Sequence, residues 1–578
     1  MRKQTKLVAV TSAAALLAIG ASMTSFAATG WVEEDGTWYF YDNDGSKVTD
    51  DWKKSGDNWY WLDGEEDGAM AMDKLVEDDD DTYYVDSTGV MVKNTWVKVV
   101  NEDQDDDSDP AEYHYYYMQS NGKAYKQKGD TLSKKTIDGK QYAFDADGVM
   151  LYGWVDKTGE MQNDDTGWTG DDVVYYFGGW EDGSMKTGWQ RISVYDDSSD
   201  KDDDYDYWFN FKSNGQKRTD TNKKKINSKY YAFDERGVMV YEWFQTSASE
   251  SNASPASWNY FSSPEDGARI YKGWFKVAPP TEDNSFLESD DTFATSDSDD
   301  ESDRWYYSDD EGLVSGQIKK IKGKYYGFFP EGTKAGRMLT GLCALEMDGE
   351  KIVKVIADDM DSDDLDNFMD SDDAFNAQSE TNTYLYYFGS DADSDGAMKT
   401  GAVNITLDGD SYAFYFNKTG GVESKGRGIN GVDSNDYVYR YGQKVKADSD
   451  EKFILVYASA DYGDDSAIVV DYDGSDVRKA ANGGAVDYLT GLSYLSADSY
   501  DLKNKDGDTV RAVVGFAKED LYLVNTSGKI QKAVTAKVDG DDWYWYSTKD
   551  DGVMMYTNNK TLTDTDLANN KWKDLLAK

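Results

Sequence analysis

The stretch Asp182-Gly183-Ser184-Met185-Lys186-Thr187-Gly188-Trp189 contains the pattern that decides the fold. It follows an aromatic cluster, Tyr175-Tyr176-Phe177. The same order recurs along the chain: an aromatic cluster, a turn glycine, often a methionine two residues later, and often a Gly-Trp. Self-similarity with a period of about 20–50 residues indicates stacked structural units rather than one globular core. The pattern therefore predicts a repeat protein.

Each copy of the pattern predicts one β-hairpin. Aromatic clusters that end in Asp-Gly or Asn-Gly favour a hairpin, because the turn needs a positive φ that Gly and Asn tolerate. A single hairpin is only marginally stable in water, so we expect its aromatic side chains to pack against neighbouring hairpins. The predicted fold class is an all-β solenoid of stacked β-hairpin repeats. Between about residues 115 and 332 the hairpins are of two kinds, which differ in the segment before the aromatic cluster, here called the lead-in. Hairpins with a basic lead-in alternate with hairpins with an acidic one, which predicts a two-hairpin superunit.

Four segments rich in Asp and poor in apolar residues interrupt the repeats, and we expect them to be flexible acidic loop insertions. They are residues 101–109, 196–206, 282–303 and 357–382. The repeat pattern weakens after about residue 442. The predicted organisation is an export signal at 1–27, a hairpin repeat array at 28–442, and a degenerate β-rich repeat region with a short C-terminal tail at 443–578.

The N-terminus has the composition of an export signal. Arg2, Lys3 and Lys6 precede an apolar run at residues 7–21, and Ser25-Phe26-Ala27 fits a small-x-small cleavage site. The run is shorter than the roughly 18–20 residues that span a bilayer. The sequence therefore predicts a secreted protein without a membrane span, either extracellular or held noncovalently at the cell wall.

The composition excludes several classes of partner and site. A formal net charge of −50 repels nucleic acid phosphates and anionic lipids, so neither is an expected partner. Cys343 is the only cysteine and His114 the only histidine, which excludes an intramolecular disulfide and a His-rich zinc site. We predict no metal site, no cofactor and no catalytic residue. Open strand edges at the ends of a hairpin stack leave a homodimer as an alternative to a monomer.

The residues Gly30-Trp31, Trp38-Tyr39-Phe40 and Asp44-Gly45, together with 182–189, resemble the repeat of the choline-binding and glucan-binding cell-wall family. The resemblance covers roughly residues 30–442, with weaker copies at 521–556. It implies noncovalent binding of a cell-surface polymer, either choline-bearing teichoic acid or a polysaccharide. The protein would then act as a secreted or surface-associated binding or adhesion protein.

In the choline-binding members of that family, two aromatic side chains of one hairpin and one of the next form a cage. A quaternary ammonium over such ring faces gains about 0.5–2 kcal/mol per contact. Carried over to this sequence, the resemblance implies four cages. They are Trp31, Trp38 and Tyr60; Trp52, Trp59 and Tyr84; Trp189, Trp208 and Tyr231; and Trp274, Trp305 and Tyr326. Exposed aromatic faces would equally stack on sugar rings, so a saccharide ligand stays an alternative.

Other copies of the pattern depart from it. Trp154 and Trp243 keep the Gly-Trp-type tryptophan without evident partners, whereas Leu342 and Ala402 replace it. The segment 391–396 resembles the start of an EF-hand loop, but position twelve is Ala402 instead of the bidentate Glu, so a hairpin turn is predicted there. Weak calcium binding by the Asp-rich loops stays an alternative.

We predict a binding protein and not an enzyme. Paired carboxylates are abundant, so residue types alone leave one alternative of another class. It is a cell-wall hydrolase or glycosidase whose repeats serve as a targeting module. Its catalytic part would have to lie in the tracts without clear repeats, about 343–383 and 443–520.

Overall fold

The computed structural model describes most of the chain as far as residue 458 and shorter stretches beyond it. The described ranges are 29–104, 110–197, 203–245, 258–280, 302–370, 382–420, 424–450, 452–458, 469–472, 498–503, 505–514, 521–532, 534–537, 543–548 and 552–557, with the single residues 565 and 569. Within them the chain is almost entirely β-structure, which confirms the predicted all-β class. The predicted export signal lies outside the described residues.

Two compact units make up the chain, Met1–Val240 and Tyr241–Lys578. In the first unit the described strands are β1 (Gly30–Glu34), β2 (Thr37–Tyr41), β3 (Asp51–Ser55), β4 (Asn58–Asp63), β5 (Ala69–Met70), β6 (Lys74–Asp78), β7 (Asp81–Val85), β8 (Thr95–Val100), β9 (Tyr113–Met118), β10 (Lys134–Ile137), β11 (Lys140–Ala143), β12 (Trp154–Asp156), β13 (Val173–Tyr176), β14 (Gly188–Asp196), β15 (Asp203–Phe211), β16 (Thr221–Ile226) and β17 (Lys229–Phe233). A single 3-10 turn, Gly167–Thr169, is described between β12 and β13.

The second unit has the same antiparallel character. Its described strands are β18 (Trp243–Gln245), β19 (Trp258–Tyr260), β20 (Gly273–Val277), β21 (Arg304–Asp309), β22 (Gly312–Leu313), β23 (Gln317–Ile321), β24 (Lys324–Phe328), β25 (Leu342–Asp348), β26 (Lys351–Ala357), β27 (Thr383–Tyr387), β28 (Gly401–Leu407), β29 (Asp410–Phe416), β30 (Gly431–Val432), β31 (Val438–Arg440), β32 (Gln443–Lys444), β33 (Phe453–Ala458), β34 (Val469–Tyr472), β35 (Asp498–Lys503), β36 (Thr509–Val514), β37 (Leu521–Asn525), β38 (Val534–Lys537), β39 (Trp543–Thr548) and β40 (Gly552–Thr557). A helix, α1 (Ser362–Asp370), and a 3-10 turn, Gly332–Lys334, complete it.

Most copies of the sequence pattern form one antiparallel hairpin, as predicted, whereas the Tyr386 cluster in β27 pairs with β25 although β26 and α1 lie between them in the chain. The strand that begins with Gly-Trp pairs with the aromatic cluster, so that Trp189 lies opposite Asn210 and Trp274 opposite Tyr307. After the turn, the residue two positions beyond the turn glycine forms a β-bridge with the last residue of the aromatic strand, as Met239 does with Phe233. The aromatic cluster is therefore the middle of a short three-stranded layer, which places alternate rings on opposite faces.

Successive hairpins are joined through the methionine position of the pattern. The backbone N–H of that residue donates to the carbonyl of the first aromatic position in the preceding hairpin: Met91 to Trp59 (2.9 Å), Met239 to Trp208 (2.8 Å) and Met338 to Trp305 (2.9 Å). These bonds satisfy backbone groups that a lone hairpin would leave open. Within each unit the hairpins therefore stack in chain order, as the repeat pattern predicts.

The turn glycines are required by this stacking. A Cβ atom at Gly183 would lie 2.2 Å from Sδ of Met150, a methionine of the preceding hairpin, and the φ of Gly183 is +55°. Gly215 meets Met185 in the same way, with Sδ also 2.2 Å away. The spacing of turn glycine and methionine in the sequence thus corresponds to one contact repeated from hairpin to hairpin.

From β8 to β27 the hairpins follow a period of three in chain order, and the predicted two-hairpin superunit is wrong. A hairpin with a half-buried tryptophan comes first (β8–β9, β14–β15 and β20–β21), and a short basic hairpin comes second (β10–β11, β16–β17 and β23–β24). The third hairpin has a fully buried residue at the tryptophan position (β12–β13, β18–β19 and β25–β27). The basic and acidic lead-ins visible in the sequence do not distinguish the first hairpin from the third.

Two of the expected flexible acidic loops are partly regular structure. In segment 196–206, β14 and β15 extend as a nine-pair ladder, and Asp196 is buried where Arg236 approaches it at 3.1 Å. In segment 357–382, α1 packs Leu365 and Phe368 into a core cluster. An ion pair and an apolar helix face thus accompany regular structure in the described parts of segments that composition alone marks as loops. Residues 198–202 and 371–381 of these two segments, and residues 105–109 and 282–301 of the other two insertions, lie outside the described residues.

Strand pairing continues across the predicted boundary at 442/443. Arg440 pairs with Gln443, and β32 also pairs with β29, in the sheet order β28-β29-β32-β31-β30. Further along, β33 pairs with both β34 and β37. Pairing between described strands therefore crosses residue 442, and the division of the chain at 442/443 stays a prediction.

Candidate ligand-binding cages

Trp274 lies at the centre of the best-defined aromatic group. Its ring is 6.2 Å from that of Trp305 on the same hairpin, at 85°, and 4.8 Å from that of Tyr326 on the next hairpin, at 69°. Phe328 lies behind it at 5.7 Å and a shallow 29°. The structure therefore brings together all three residues of the fourth predicted cage, and all three remain half-buried.

The third predicted cage has the same geometry in the other unit. Trp189 is 6.4 Å from Trp208 at 85° and 4.8 Å from Tyr231 at 64°, with Phe233 at 5.6 Å and 34°. The acidic segment between Trp189 and Trp208 does not separate them, because its described strand residues, Asp196 and 203–206, lie at the far end of the β14–β15 ladder. These two groups are thus copies of one arrangement.

A further copy is centred on Trp96, which the sequence reading missed. Trp96 is 4.9 Å from Tyr142 at 65° and 5.9 Å from Phe144 at 30°, and Tyr115 and Met150 belong to the same cluster. It was missed because the chain has Asn94-Thr95 where the pattern has a glycine before tryptophan. The signal that could have found it is Asn94, whose φ of +53° supplies the left-handed turn that Asn tolerates.

The first predicted cage is only partly assembled. Trp31 is 5.3 Å from Tyr60 and 5.4 Å from Phe40, while Trp38 packs against the same apolar cluster. Tyr60 is 5% exposed, so its ring contributes mainly to the core between the two hairpins.

The second predicted cage is assigned wrongly by one residue. Trp52 contacts Trp61 and Tyr83 at 5.3 and 5.0 Å, and not Tyr84. Adjacent residues of a strand point to opposite faces, so Tyr84 packs instead with the cluster around Val97. Tyr84 also donates to Asp73, and Trp52 Nε1 donates to Asp78 at 3.2 Å. Trp59 remains exposed at 36%, the first aromatic of its hairpin.

Trp154 and Trp243 are core residues, with 6% and 1% of their surface exposed. Trp168, which follows β12 in the 3-10 turn Gly167–Thr169, lies 6.5 Å from Trp154. Tyr306 lies 4.9 Å from Trp243. The Trp168 ring therefore fills space beside Trp154, whereas Tyr306 contacts Trp243 much as Tyr326 contacts Trp274, at 4.8 Å and 69°.

A cavity of about 200 Å³ opens beside the Trp274 group. Trp274, Trp305, Tyr326 and Met338 form its apolar walls, and the turn 392–397 and Lys324 complete the lining. Trp305 Nε1 donates to Asp393 of that turn at 2.8 Å, and Lys276 Nζ lies 2.8 Å from the same carboxylate. Hydrogen bonds from Lys276 and Trp305 lower the pKa of Asp393 below its ordinary range. A fixed anionic group therefore stands at the rim of an aromatic cavity.

Comparison with known proteins supports the repeat type. Residues 29–47, 50–70 and 73–91 each match the choline-binding family model of cell wall binding repeats. They coincide with the hairpins of Trp31, Trp52 and Tyr83, so the matched sequence unit and the structural hairpin are the same unit.

Several solved structures are similar to the chain at low TM-scores. The modular autolysin LytC of Streptococcus pneumoniae is 18% identical over 55% of each chain, with a TM-score of 0.28. CbpJ of the same organism is 16% identical over 72% of this chain and 99% of its own, with a TM-score of 0.31. The choline-binding domain of CbpL is 25% identical over 37% and 89%, with a TM-score of 0.23. The chain thus spans 55% of the length of LytC, and no curated protein matches it.

The structure also places the other residues that the sequence marks as candidates for chemistry, Cys343, His114 and the EF-hand-like segment 391–396. The Cys343 thiol is fully buried, and burial raises its pKa to about 12. His114 lies in β9, opposite Val99 of β8. In the described ranges no group of three or more His, Cys, Asp or Glu side chains is placed to hold a metal ion. The EF-hand-like segment is a turn closed by the Asp391–Asp395 bridge, and calcium binding by the Asp-rich loops stays a prediction. Among the same residues, no helix has both the length and the apolar character to cross a membrane.

Proposed function

We propose that this protein binds a cell-surface polymer noncovalently, by holding choline-type alkylammonium groups in the cages centred on Trp96, Trp189 and Trp274. The observation that carries the proposal is that three tryptophans with the same ring contacts, to a tyrosine at 4.8–4.9 Å and 64–69° with a phenylalanine behind, all stay half-buried. The buried Trp154 and Trp243 make similar contacts, with Phe209 at 5.1 Å and 68° and with Tyr306 at 4.9 Å and 72°, so it is the partial exposure of the three tryptophans that distinguishes the cages from the core.

The shape of the cages favours a compact cation over a sugar ring. The two tryptophans of the third and fourth cages stand at 85° to each other, so they form a corner and not a flat platform. A trimethylammonium group fits a corner of ring faces and is attracted to each of them. The net charge of −50 adds a long-range attraction for cations.

Several weak cages on one chain suit a polymer that carries many copies of the ligand. Once the first cage is occupied, the next ligand on the same polymer binds from a high effective concentration, and avidity exceeds the affinity of a single cage by orders of magnitude. We therefore propose a surface-associated binding or adhesion role, with export directed by residues 1–27.

The test uses the full chain. We expect retention on purified choline-bearing cell walls and elution by millimolar choline, and calorimetric titration with choline should show several sites. Trp96→Ala, Trp189→Ala and Trp274→Ala should each remove about one site, with partial recovery in the Trp→Phe variants. Trp154→Phe is the matched control, because this tryptophan is buried, and it should leave the number of sites unchanged. Elution only by a competing saccharide would replace choline by a sugar as the ligand, and no retention would refute the proposal.

We further propose that the chain binds without hydrolysing. At the Trp274 cavity, hydrogen bonds from Lys276 and Trp305 favour the ionised form of Asp393, which suits attraction of a cation and not the general-acid role of a glycosidase. Incubation of the full chain with a suspension of purified walls should leave the turbidity unchanged. Clearing of the suspension would support the hydrolase alternative.

A further inference from the structure

The turn that covers the Trp274 cage differs from the ordinary turns of the repeat. Most are four-residue turns such as 86–89, closed by the Gly89 N–H donating to the Asp86 carbonyl at 2.8 Å. The turn at 389–396 is longer and is closed by its own bridge between Asp391 and Asp395. Gly396 packs this turn against Met338, a wall of the cavity.

The extra length places one side chain at the mouth of the cage. Asp393 accepts from Trp305 Nε1 at 2.8 Å and from Lys276 Nζ at 3.0 Å, so the carboxylate is fixed beside the aromatic corner. Lys276 is itself exposed, so its pairing with Asp393 is screened by solvent and offsets the carboxylate's field only in part.

The same position in another hairpin carries a different side chain. Gly183 contacts Met150 of the Trp96 group as Gly396 contacts Met338, and three residues before each glycine stand Trp180 and Asp393. The Trp180 ring lies 6.4 Å from that of Tyr115, so it extends an aromatic surface where Asp393 supplies a charge. One structural position thus adds a neutral ring to one cage and an anion to another.

We propose that Asp393 is a specificity-determining residue, which makes the Trp274 cage select cationic over neutral ligands of the same shape. The Trp96 cage, with Trp180 at that position, discriminates between them less. The inference rests on the proposed function of these cages. It adds that the long turn, contributed by a hairpin two further along the chain, sets the ligand preference of the cage that it covers.

The experiment follows one cage in the full chain by fluorine NMR of fluorotryptophan-labelled protein, with the Trp305 resonance assigned from Trp305→Phe. Choline is titrated against dimethylbutanol, its neutral isostere with carbon in place of the ammonium nitrogen. Asp393→Asn removes the charge and keeps an oxygen that can accept from Trp305. Asp391→Asn is the matched control, because it removes the same charge from the same turn while its oxygen can still accept from the turn's own N–H groups at 393 and 394.

We expect Asp393→Asn to weaken choline binding at this cage by about two- to fivefold, the range for a partly exposed charge pair. Binding of the neutral isostere and the behaviour of Asp391→Asn should be unchanged. Lys276→Met removes the competing cation and should strengthen choline binding by about twofold. The Trp180→Ala variant should not alter the ratio of the two ligands at the Trp305 resonance.

The outcomes distinguish a failure of the proposed function from a failure of the role assigned to Asp393. If choline does not shift the Trp305 resonance of the wild-type protein, the proposed function fails at this cage, and the inference fails with it. If choline binds but Asp393→Asn and Asp391→Asn weaken it equally, or Asp393→Asn leaves it unchanged, the cage stands and the role of Asp393 is refuted.

Discussion

Substitution of Gly183 by alanine tests whether the glycine–methionine contact holds successive hairpins together. Two costs add at this position. A residue with a Cβ at φ +55° costs about 1–2 kcal/mol, and moving Met150 out of the way costs about 1–3 kcal/mol, as overpacking does elsewhere. Cγ of Met150 would also lie only 2.8 Å from the new Cβ, so a change at the end of the methionine side chain alone does not relieve the clash.

Gly139→Ala is the matched control. Gly139 has φ +82°, and nothing lies within 4 Å of a Cβ placed there, so only the backbone cost of about 1–2 kcal/mol applies. Both glycines belong to neighbouring hairpins of the same unit.

The assay is hydrogen exchange of the amides that join these hairpins, which reports the free energy of local opening. The relevant donors are Met150, bonded to Tyr115, and Met185, bonded to Gln141. Gly139→Ala should lower protection there by about fivefold to thirtyfold, and Gly183→Ala by about thirtyfold to a few thousandfold, since about 1.4 kcal/mol corresponds to a factor of ten. Equal losses in the two variants would refute the steric role of the methionine contact.

Two further predictions concern buried titratable groups. Lys217 stands at a methionine position with Nζ 2.9 Å from the Trp168 carbonyl, and burial lowers its pKa to about 8 from an ordinary 10.5. Because the unfolded chain keeps this proton to higher pH, stability should rise between pH 8 and 9.5, and Lys217→Met should remove that slope in urea unfolding measured across the range. Cys343, with its raised thiol pKa and full burial, should not react with a thiol reagent in the native state and should react on unfolding; rapid native labelling would contradict the packing of β25.

The hairpins could be predicted from the sequence because their signals are local. Asp-Gly and Asn-Gly turns between aromatic clusters fix each hairpin through backbone angles that only a few residues adopt, whatever the neighbours are. The grouping of hairpins into threes could not be predicted in this way. Whether a Gly-Trp-type tryptophan stays open depends on which ring fills the space next to it, and Trp168, which fills the space beside Trp154, lies outside the repeated pattern.

The cage residues could be predicted wherever the sequence pattern shows which residue of a strand faces the cage tryptophan. The groups of Trp189 and Trp274 are assembled as expected, because Gly-Trp and the following cluster are both kept. At Tyr83 and Tyr84 two identical side chains are adjacent, and only strand pairing decides which one faces Trp52. At Trp96 the motif glycine is absent while its backbone role is kept by Asn94.

The period of three explains how one repeat can hold unlike cages. In the first hairpin the tryptophan stays open, and the second supplies the tyrosine and methionine that complete the cage, as Tyr326 and Met338 do for Trp274. The third has no open tryptophan of its own, because Leu342 is buried in the core, so its long turn is left to cover the cage two hairpins earlier. The residues of this turn lie outside the paired strands. Their side chains, such as Trp180 and Asp393, can therefore differ between repeats without changing how the hairpins pair and stack. A titration with free choline should therefore follow a sum of unequal sites, even though the rings of each cage superimpose in their distances and angles.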